Sequence, residues 1–145
     1  MSLHSLIRTF ARMKVEIIPI PKVIDERGAL VFAESNTTIP FSIQRVFWIY
    51  DIPSHAQRGG HAHWECSEVV IPINGAFTMC LDDGMERRSI RMSSPDEGIL
   101  VPAGVWCELK DFTSNTILLV LASHPYDPQG YEHNYDQYLK IKNPQ

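Results

Sequence analysis

The sequence has few cysteines, no long apolar run and no cluster of basic residues. Its three cysteines show neither a C-x-x-C pair nor the regular spacing of a disulfide framework, which argues against a disulfide-stabilised secreted domain and favours reduced thiols in the cytoplasm. No apolar segment approaches the roughly 18 to 20 residues that a membrane-spanning helix needs. The formal charge of −4 argues against nucleic acid and anionic membranes as partners, so any anion-binding site must be local.

The sequence also lacks a long segment in which apolar residues recur with helical periodicity. Short runs rich in β-branched and aromatic residues occur instead, with turn signals between most of them. The predicted strands cover residues 15–20, 29–34, 43–49, 68–73, 76–81, 87–92, 98–101 and 116–122. Many short strands with regular turns predict an all-β protein, an antiparallel jelly-roll barrel whose closure removes exposed sheet edges.

Two turns and a C-terminal helix are also predicted. Asn74-Gly75 supplies the positive φ of a tight hairpin, so the strands on either side are expected to pair as part of an antiparallel meander. Asp82-Asp83-Gly84 marks the next reversal. The segment 125–140 is expected to form a loop and then a short helix, and it carries Tyr126, Tyr131, Tyr135 and Tyr138.

The domain organisation is predicted to be simple. A chain of 145 residues with 44% apolar composition fits one globular domain with a core of its own, which we place at residues 15–145. Residues 1–14 are expected to be a poorly ordered or vector-derived extension. An amphipathic targeting helix is the alternative for that segment, because its apolar residues alternate with arginines.

The most informative motif is His61-Ala62-His63, followed by Glu68 and Gly75. This H-x-H-x4-E-x6-G pattern resembles the first conserved box of cupin barrels. Alternate residues of a strand point to one face, so the two imidazoles should share a pocket, with Glu68 on the same or an adjoining strand. These side chains can ligate zinc, iron or nickel, and a neutral imidazole is also a good general base near pH 7. The motif therefore predicts either a metal site or a proton-transfer site.

A second cupin box would read P-x-G-x-x-H. Here Pro102-Ala103-Gly104 supplies the turn, but Cys107 stands where the third metal-binding histidine is expected. A three-histidine site is therefore absent. A mixed site of His61, His63, Glu68 and Cys107 would still suit zinc.

The order of several motifs resembles the WxcM-like sugar-nucleotide 3,4-ketoisomerases. The matching segments span nearly everything after residue 14, namely 25–30, 39–46, 58–63, 81–84, 101–106 and 120–123. The resemblance implies a metal-independent cupin without a cofactor, usually a homodimer. Its substrate would be a dTDP-linked 4-keto-6-deoxy sugar, whose ketone moves from C4 to C3 during the synthesis of deoxy and amino sugars for surface polysaccharides.

The same resemblance implies roles for particular residues. His61 is the first candidate for the base that carries a proton from C3 to C4, with His63 as its partner, although the sequence is compatible with the opposite order. Guanidinium groups match phosphate oxygens, so the arginines near these motifs are predicted to hold the substrate. The predicted substrate-binding residues are Arg27, Arg45, Arg58, Glu68, Trp106 and Cys107.

The chain also departs from the family pattern. It reads R-V-F-W-I where R-V-Y-Y-I is common, so Phe47 lacks the tyrosine hydroxyl proposed to move protons. Cys107, Glu68, Tyr50 or Tyr126 could supply the missing relay. Three function classes therefore stay open: a ketoisomerase, a sugar-nucleotide epimerase or noncatalytic sugar-nucleotide-binding cupin, and a metal-dependent cupin enzyme.

Overall fold

Short antiparallel strands are the main elements of the structure, a computed structural model that describes residues 9–10 and 13–144. The strands are β1 (Thr9–Phe10), β2 (Val15–Pro19), β3 (Lys22–Asp25), β4 (Gly28–Val31), β5 (Arg45–Ile49), β6 (Arg58–His63), β7 (Glu68–Asn74), β8 (Phe77–Asp82), β9 (Arg87–Met92), β10 (Glu97–Val101), β11 (Trp106–Lys110), β12 (Ile117–Ala122) and β13 (Tyr131–Glu132). A 3₁₀ turn at Pro128–Gly130 precedes β13, and α1 spans Tyr135–Lys142. Within the described residues, no helix is long and apolar enough to cross a membrane.

Two sheets face each other across the main hydrophobic core. The first has the order β1-β2-β10-β7-β12-β5 and the second has the order β13-β6-β11-β8-β9. Fully buried side chains from both sheets meet between them, including Ile99 and Leu118 from the first and Phe77 and Met79 from the second. Each such side chain stabilises the fold by about 1.5–3 kcal/mol relative to exposure. This arrangement confirms the predicted all-β, cupin-type antiparallel jelly roll.

The turn at Asn74-Gly75 has the predicted backbone but not the predicted pairing. Gly75 has a φ of 77°, yet β7 and β8 belong to different sheets, so the expected hairpin and the simple meander are wrong. The turn packs closely on a neighbouring loop, because a Cβ added at Gly75 would lie 2.4 Å from Thr116 Oγ1. Glycine is therefore needed where the chain crosses from one sheet to the other. The Asp82-Asp83-Gly84 reversal is confirmed, since β8 and β9 pair directly.

The N-terminal part of the chain adds to the first sheet. Thr9–Phe10 pairs with β2, and Met13 is buried in the core. Residues 1–8 and 11–12 of the predicted extension lie outside the described residues.

The predicted C-terminal helix is confirmed as α1. Its N-cap is Asn134, whose side chain accepts a hydrogen bond from Gln137 N at 2.9 Å, as expected for an asparagine at this position. Tyr138 is fully buried against the outer side of the second sheet, and its hydroxyl lies 2.7 Å from Gly104 O. Helix packing thus fixes the turn between β10 and β11.

A hairpin of β3 and β4 stands apart from both sheets. Its large apolar side chains face solvent: Val23 is 56% exposed, Ile24 66% and Leu30 59%. Exposed apolar side chains grouped in this way usually mark a surface that another molecule covers.

Candidate active site

A cavity of about 170 Å³ between the two sheets, here the inner cavity, receives both histidines of the H-x-H motif. His61 and His63 point into it from β6, while Ala62 points to the opposite side and packs against Trp106 and Tyr138. Strand alternation explains this arrangement. Glu68 enters from β7 in the facing sheet. The predicted pocket shared by two imidazoles is therefore present.

The two imidazoles and the carboxylate are in contact. The rings of His61 and His63 meet edge to face, with their centroids 5.0 Å apart. His63 Nε2 lies 3.1 Å from Glu68 Oε1, but the direction between them is not that of a hydrogen bond, and this buried nitrogen has no hydrogen-bond partner among the described residues. Because a buried polar atom is normally satisfied, His63 Nε2 is free to bond a ligand.

His61 is held in its neutral form. Burial, and then the electrostatic influence of neighbouring His63, lower the pKa of His61 to about 4. Desolvation disfavours the charged form of an imidazole. At pH 7 the ring is therefore unprotonated and can accept a proton.

A second space of about 270 Å³, here the outer compartment, adjoins the inner cavity and shares His63 and Tyr131 with it. Arg45 lies at the junction: its Nη1 donates to the Tyr131 hydroxyl at 3.5 Å, and its Nη2 lies 3.9 Å from Glu68 Oε2. The guanidinium also faces the rings of Phe47 and Tyr126, at 5.2 and 5.6 Å from their centroids. The junction thus carries a largely buried cation beside the histidine pair.

Two further predicted residues line the inner cavity. Arg58 begins β6 and is exposed at the rim. Cys107 lies on β11 directly opposite His61, and burial raises the pKa of its thiol, so the thiol stays protonated. Of the predicted substrate-binding residues, the structure therefore brings Arg45, Arg58, Glu68 and Cys107 to the histidine pair.

Arg27 and Trp106 are not brought there. Arg27 is exposed at the tip of the β3–β4 hairpin, where its Nη2 lies 2.6 Å from Asp25 Oδ2. Trp106 faces the outer side of the second sheet, because Cys107, the next residue of the strand, faces inward. Its ring packs 5.2 Å from Tyr135 and 5.5 Å from Tyr138.

Tyr131 is the site residue that sequence reasoning did not single out. It pairs with His63 through the two-residue strand β13. Its ring centroid lies 4.3 Å from that of His63 and 5.2 Å from that of His61. Of the two tyrosines suggested as relays, Tyr126 lines only the outer compartment, and Tyr50 is exposed in a groove beside Trp48.

The histidine pair and Glu68 also satisfy the geometry of a cation site. One ligand atom from each of the three lies within 4.8 Å of the others, and zinc accepts such nitrogen and oxygen donors. Within the described residues this cluster does not include Cys107. The four-ligand site predicted from the sequence is therefore reduced to three protein ligands.

Comparison with known proteins finds relatives of the same named activity by sequence and by fold. The family model described as "FdtA: WxcM-like, C-terminal" matches residues 13–143. The chain is 41% identical over 128 residues to a TDP-4-oxo-6-deoxy-alpha-D-glucose-3,4-oxoisomerase of Aneurinibacillus thermoaerophilus, a match that covers 88% of this chain and 92% of the relative.

Solved structures extend this likeness. One is a histidine-to-asparagine mutant of the 3,4-ketoisomerase QdtA from Thermoanaerobacterium thermosaccharolyticum in complex with TDP-4-keto-6-deoxyglucose. It has a TM-score of 0.86 and 34% identity, covering 88% of this chain and 93% of that one. The rmlC epimerase of Mycobacterium tuberculosis has a TM-score of 0.72 and 17% identity, covering 87% of this chain and 71% of that one. The likeness to the epimerase is one of fold alone.

Proposed function

Because the chain belongs to the FdtA family of WxcM-like proteins, we propose that it is a dTDP-4-keto-6-deoxyhexose 3,4-ketoisomerase. The observation that carries the proposal is a histidine pair at the cavity between the two sheets, in which His63 is buried and the partly buried His61 is kept neutral. The relatives support it, because the two named above at 41% and 34% identity are a 3,4-oxoisomerase and a 3,4-ketoisomerase.

The reaction needs a base that can both remove and return a proton. The hydrogen at C3 is acidic because it lies next to the C4 carbonyl. Neutral His61 takes this proton, and the resulting imidazolium delivers it to C4 as the carbonyl forms at C3. C4 is reduced while C3 is oxidised, so no external oxidant or reductant is consumed. We assign the partner role to His63, whose Nε2 is open to a ligand.

The rest of the site fits a nucleotide sugar. An acidic protein must bind a pyrophosphate with local cations, and arginine forks suit phosphate oxygens. We assign Arg45 and Arg58 to this task, and Glu68 and Cys107 to the wall around the sugar. Arg27 is too far along its hairpin to line the inner cavity of its own chain. Its proposed role in binding therefore requires that the hairpin reach the site of a second copy.

The proposed homodimer rests on the exposed β3–β4 hairpin, because two copies can cover each other's apolar side chains. Light scattering should give twice the 16.5 kDa chain mass. Leu30→Asp should shift the protein to the monomer, because a buried unpaired carboxylate is unfavourable. Met85→Asp is the matched control: Met85 is 74% exposed in the β8–β9 turn, and its replacement should leave the dimer intact. A 16.5 kDa species alone, at all micromolar concentrations of the wild type, would contradict the dimer.

One experiment separates the three function classes. The protein is incubated with dTDP-4-keto-6-deoxyglucose in deuterium oxide, and C3 and C4 are followed by NMR. We expect a 3-keto product. Deuterium incorporation with inversion at a ring carbon would instead identify an epimerase, and no incorporation would identify a binding protein. Turnover that stops on chelation and returns with one equivalent of metal would identify a metal-dependent enzyme.

The proposed setting is the cytoplasm, in a route to deoxy and amino sugars of surface polysaccharide. The three cysteines are free, as expected in a reducing compartment. Cell fractionation with antibody detection tests this placement.

A further inference from the structure

We propose that the hydroxyl of Tyr131 carries the proton that moves between the two substrate oxygens, O3 and O4, during isomerisation. This inference rests on the proposed ketoisomerase function. It assigns to a residue of the C-terminal segment the hydroxyl that Phe47 does not provide.

The chemistry requires this second proton transfer. His61 accounts for the proton that leaves C3 and arrives at C4. The C4 carbonyl oxygen must also gain a proton to become a hydroxyl, and the C3 hydroxyl must lose one to become a carbonyl. A phenol balances both changes: it gives its proton to O4, and the phenolate takes the proton from O3. Tyr131 is then regenerated, with no net gain or loss of protons.

Tyr131 is placed where both substrate oxygens must lie. The β13–β6 pairing sets it beside His63, and its ring contacts both His61 and His63. It lines the inner cavity and the outer compartment together. A sugar whose C3 hydrogen faces His61 therefore has the phenol of Tyr131 at the same end of the barrel.

Three of the relays suggested by the sequence, Cys107, Tyr126 and Tyr50, are less well placed or less suited. Among the described residues that line the inner cavity, Tyr131 is the one with a hydroxyl. Cys107 lines the cavity, but its buried thiol resists ionisation and is a poor proton donor. Tyr126 and Tyr50 do not line it.

Arg45 supports the transfer electrostatically. Its Nη1 donates to the Tyr131 oxygen at 3.5 Å, and its guanidinium is largely buried. A cation beside the phenol stabilises the negative charge that this oxygen bears between the two transfers. The ring of Tyr131 also stacks on His133 at 5.4 Å and lies 6.0 Å from the ring of Tyr126.

The test is Tyr131→Phe, which removes one atom and keeps every ring contact. We expect product formation to fall by about 100-fold or more, within the range for loss of a general acid–base group. Affinity for TDP should stay within about threefold, because binding and chemistry are separable. Deuterium entry at C3 should fall much less than product formation, because His61 is intact. Tyr50→Phe is the control, since it removes the same atom from an exposed tyrosine outside the site, and it should turn over like the wild type.

Three results with an active wild type would overturn this inference alone. The first is Tyr131→Phe turnover within about threefold of the wild type. The second is a loss of TDP affinity with an unchanged kcat, because the hydroxyl would then serve only to position Arg45. The third is an equal fall in exchange and product, which would make the hydroxyl a support for the C3 deprotonation itself. An inactive wild type would overturn the proposed function and this inference together, whereas an active wild type with an equally active variant overturns this inference alone.

Discussion

His61→Asn should abolish most of the deuterium exchange at C3 while leaving TDP binding nearly unchanged. The expected loss is about 10²–10⁴-fold, the usual contribution of a positioned general base. Asparagine keeps a polar side chain of similar width but has no titratable group, so it cannot carry the proton from C3 to C4. Single-turnover NMR in deuterium oxide measures the exchange, and calorimetric titration with TDP measures the binding.

The comparison variant for this experiment is Arg58→Ala, since Arg45 also contacts the Tyr131 hydroxyl. Its main defect should be weaker TDP binding, by about 1.5–3 kcal/mol, the range for a hydrogen bond to a charged group. The two variants thus separate proton transfer from nucleotide binding. Full exchange activity in metal-free His61→Asn protein would show that this histidine is not the base. If His63→Asn loses the exchange instead, the two histidines have the opposite roles.

The same variants test for a metal. If His61, His63 and Glu68 hold a catalytic cation, each substitution should release one equivalent of it, and chelation should inactivate the wild type. The proton-transfer mechanism predicts that elemental analysis of active protein finds less than one equivalent and that chelation has no effect.

Local strand geometry explains why the centre of the site could be predicted. In any strand, successive side chains point to opposite faces of the sheet. The shared direction of His61 and His63 therefore followed from their spacing of two residues. Glu68 was expected on the same or an adjoining strand, and it comes from the facing sheet. The spacing could not settle that, because it is the course of the loop between β6 and β7 that carries Glu68 across the barrel.

The parts that sequence reasoning missed depend on contacts distant along the chain. Asn74-Gly75 specifies a positive φ, but the partner of each strand is set by packing on the loop around Thr116, so the hairpin was wrong. Strand β11 was not predicted, although its residues 107–110 alternate between apolar and polar. Which of Trp106 and Cys107 points into the barrel depends on the register of that strand against its neighbours.

The position of Tyr131 at the site could not be predicted from the sequence for the same reason. Strand β13 has only two residues, too few for any periodicity. The position of Tyr131 beside His63 is determined by the pairing of β13 with β6, about seventy residues apart in the chain and thus a non-local contact. Only the folded structure brings this hydroxyl to the histidine pair.

The second large effect concerns stability: wild-type protein should lose unfolding free energy more steeply than His61→Asn as the pH falls from 6.5 to 4. The folded-state pKa of His61 is about 4, below its ordinary value of 6.5. Between these values the unfolded chain binds a proton that the folded protein does not, so acid favours unfolding. The contribution is fully present above pH 6.5 and is lost progressively down to pH 4.

The size of the effect follows from the same shift. Each pKa unit corresponds to about 1.4 kcal/mol, so the whole interval amounts to about 3 kcal/mol. Urea unfolding at several pH values, at one fixed protein concentration because a dimer responds to dilution, gives the two curves. His55→Asn is the control: His55 is exposed in the loop before β6, and its replacement should reproduce the wild-type pH dependence.

Parallel curves for the wild type and His61→Asn would show that His61 titrates alike in the folded and unfolded chains. The burial that lowers the pKa of His61 also keeps its ring unprotonated at neutral pH, and only an unprotonated ring can take the C3 proton. A protein that unfolds more readily in acid because His61 resists protonation is therefore one whose base is ready at neutral pH. If the curves differ as expected and His61→Asn also loses exchange, one imidazole accounts for both the acid sensitivity and the proton transfer.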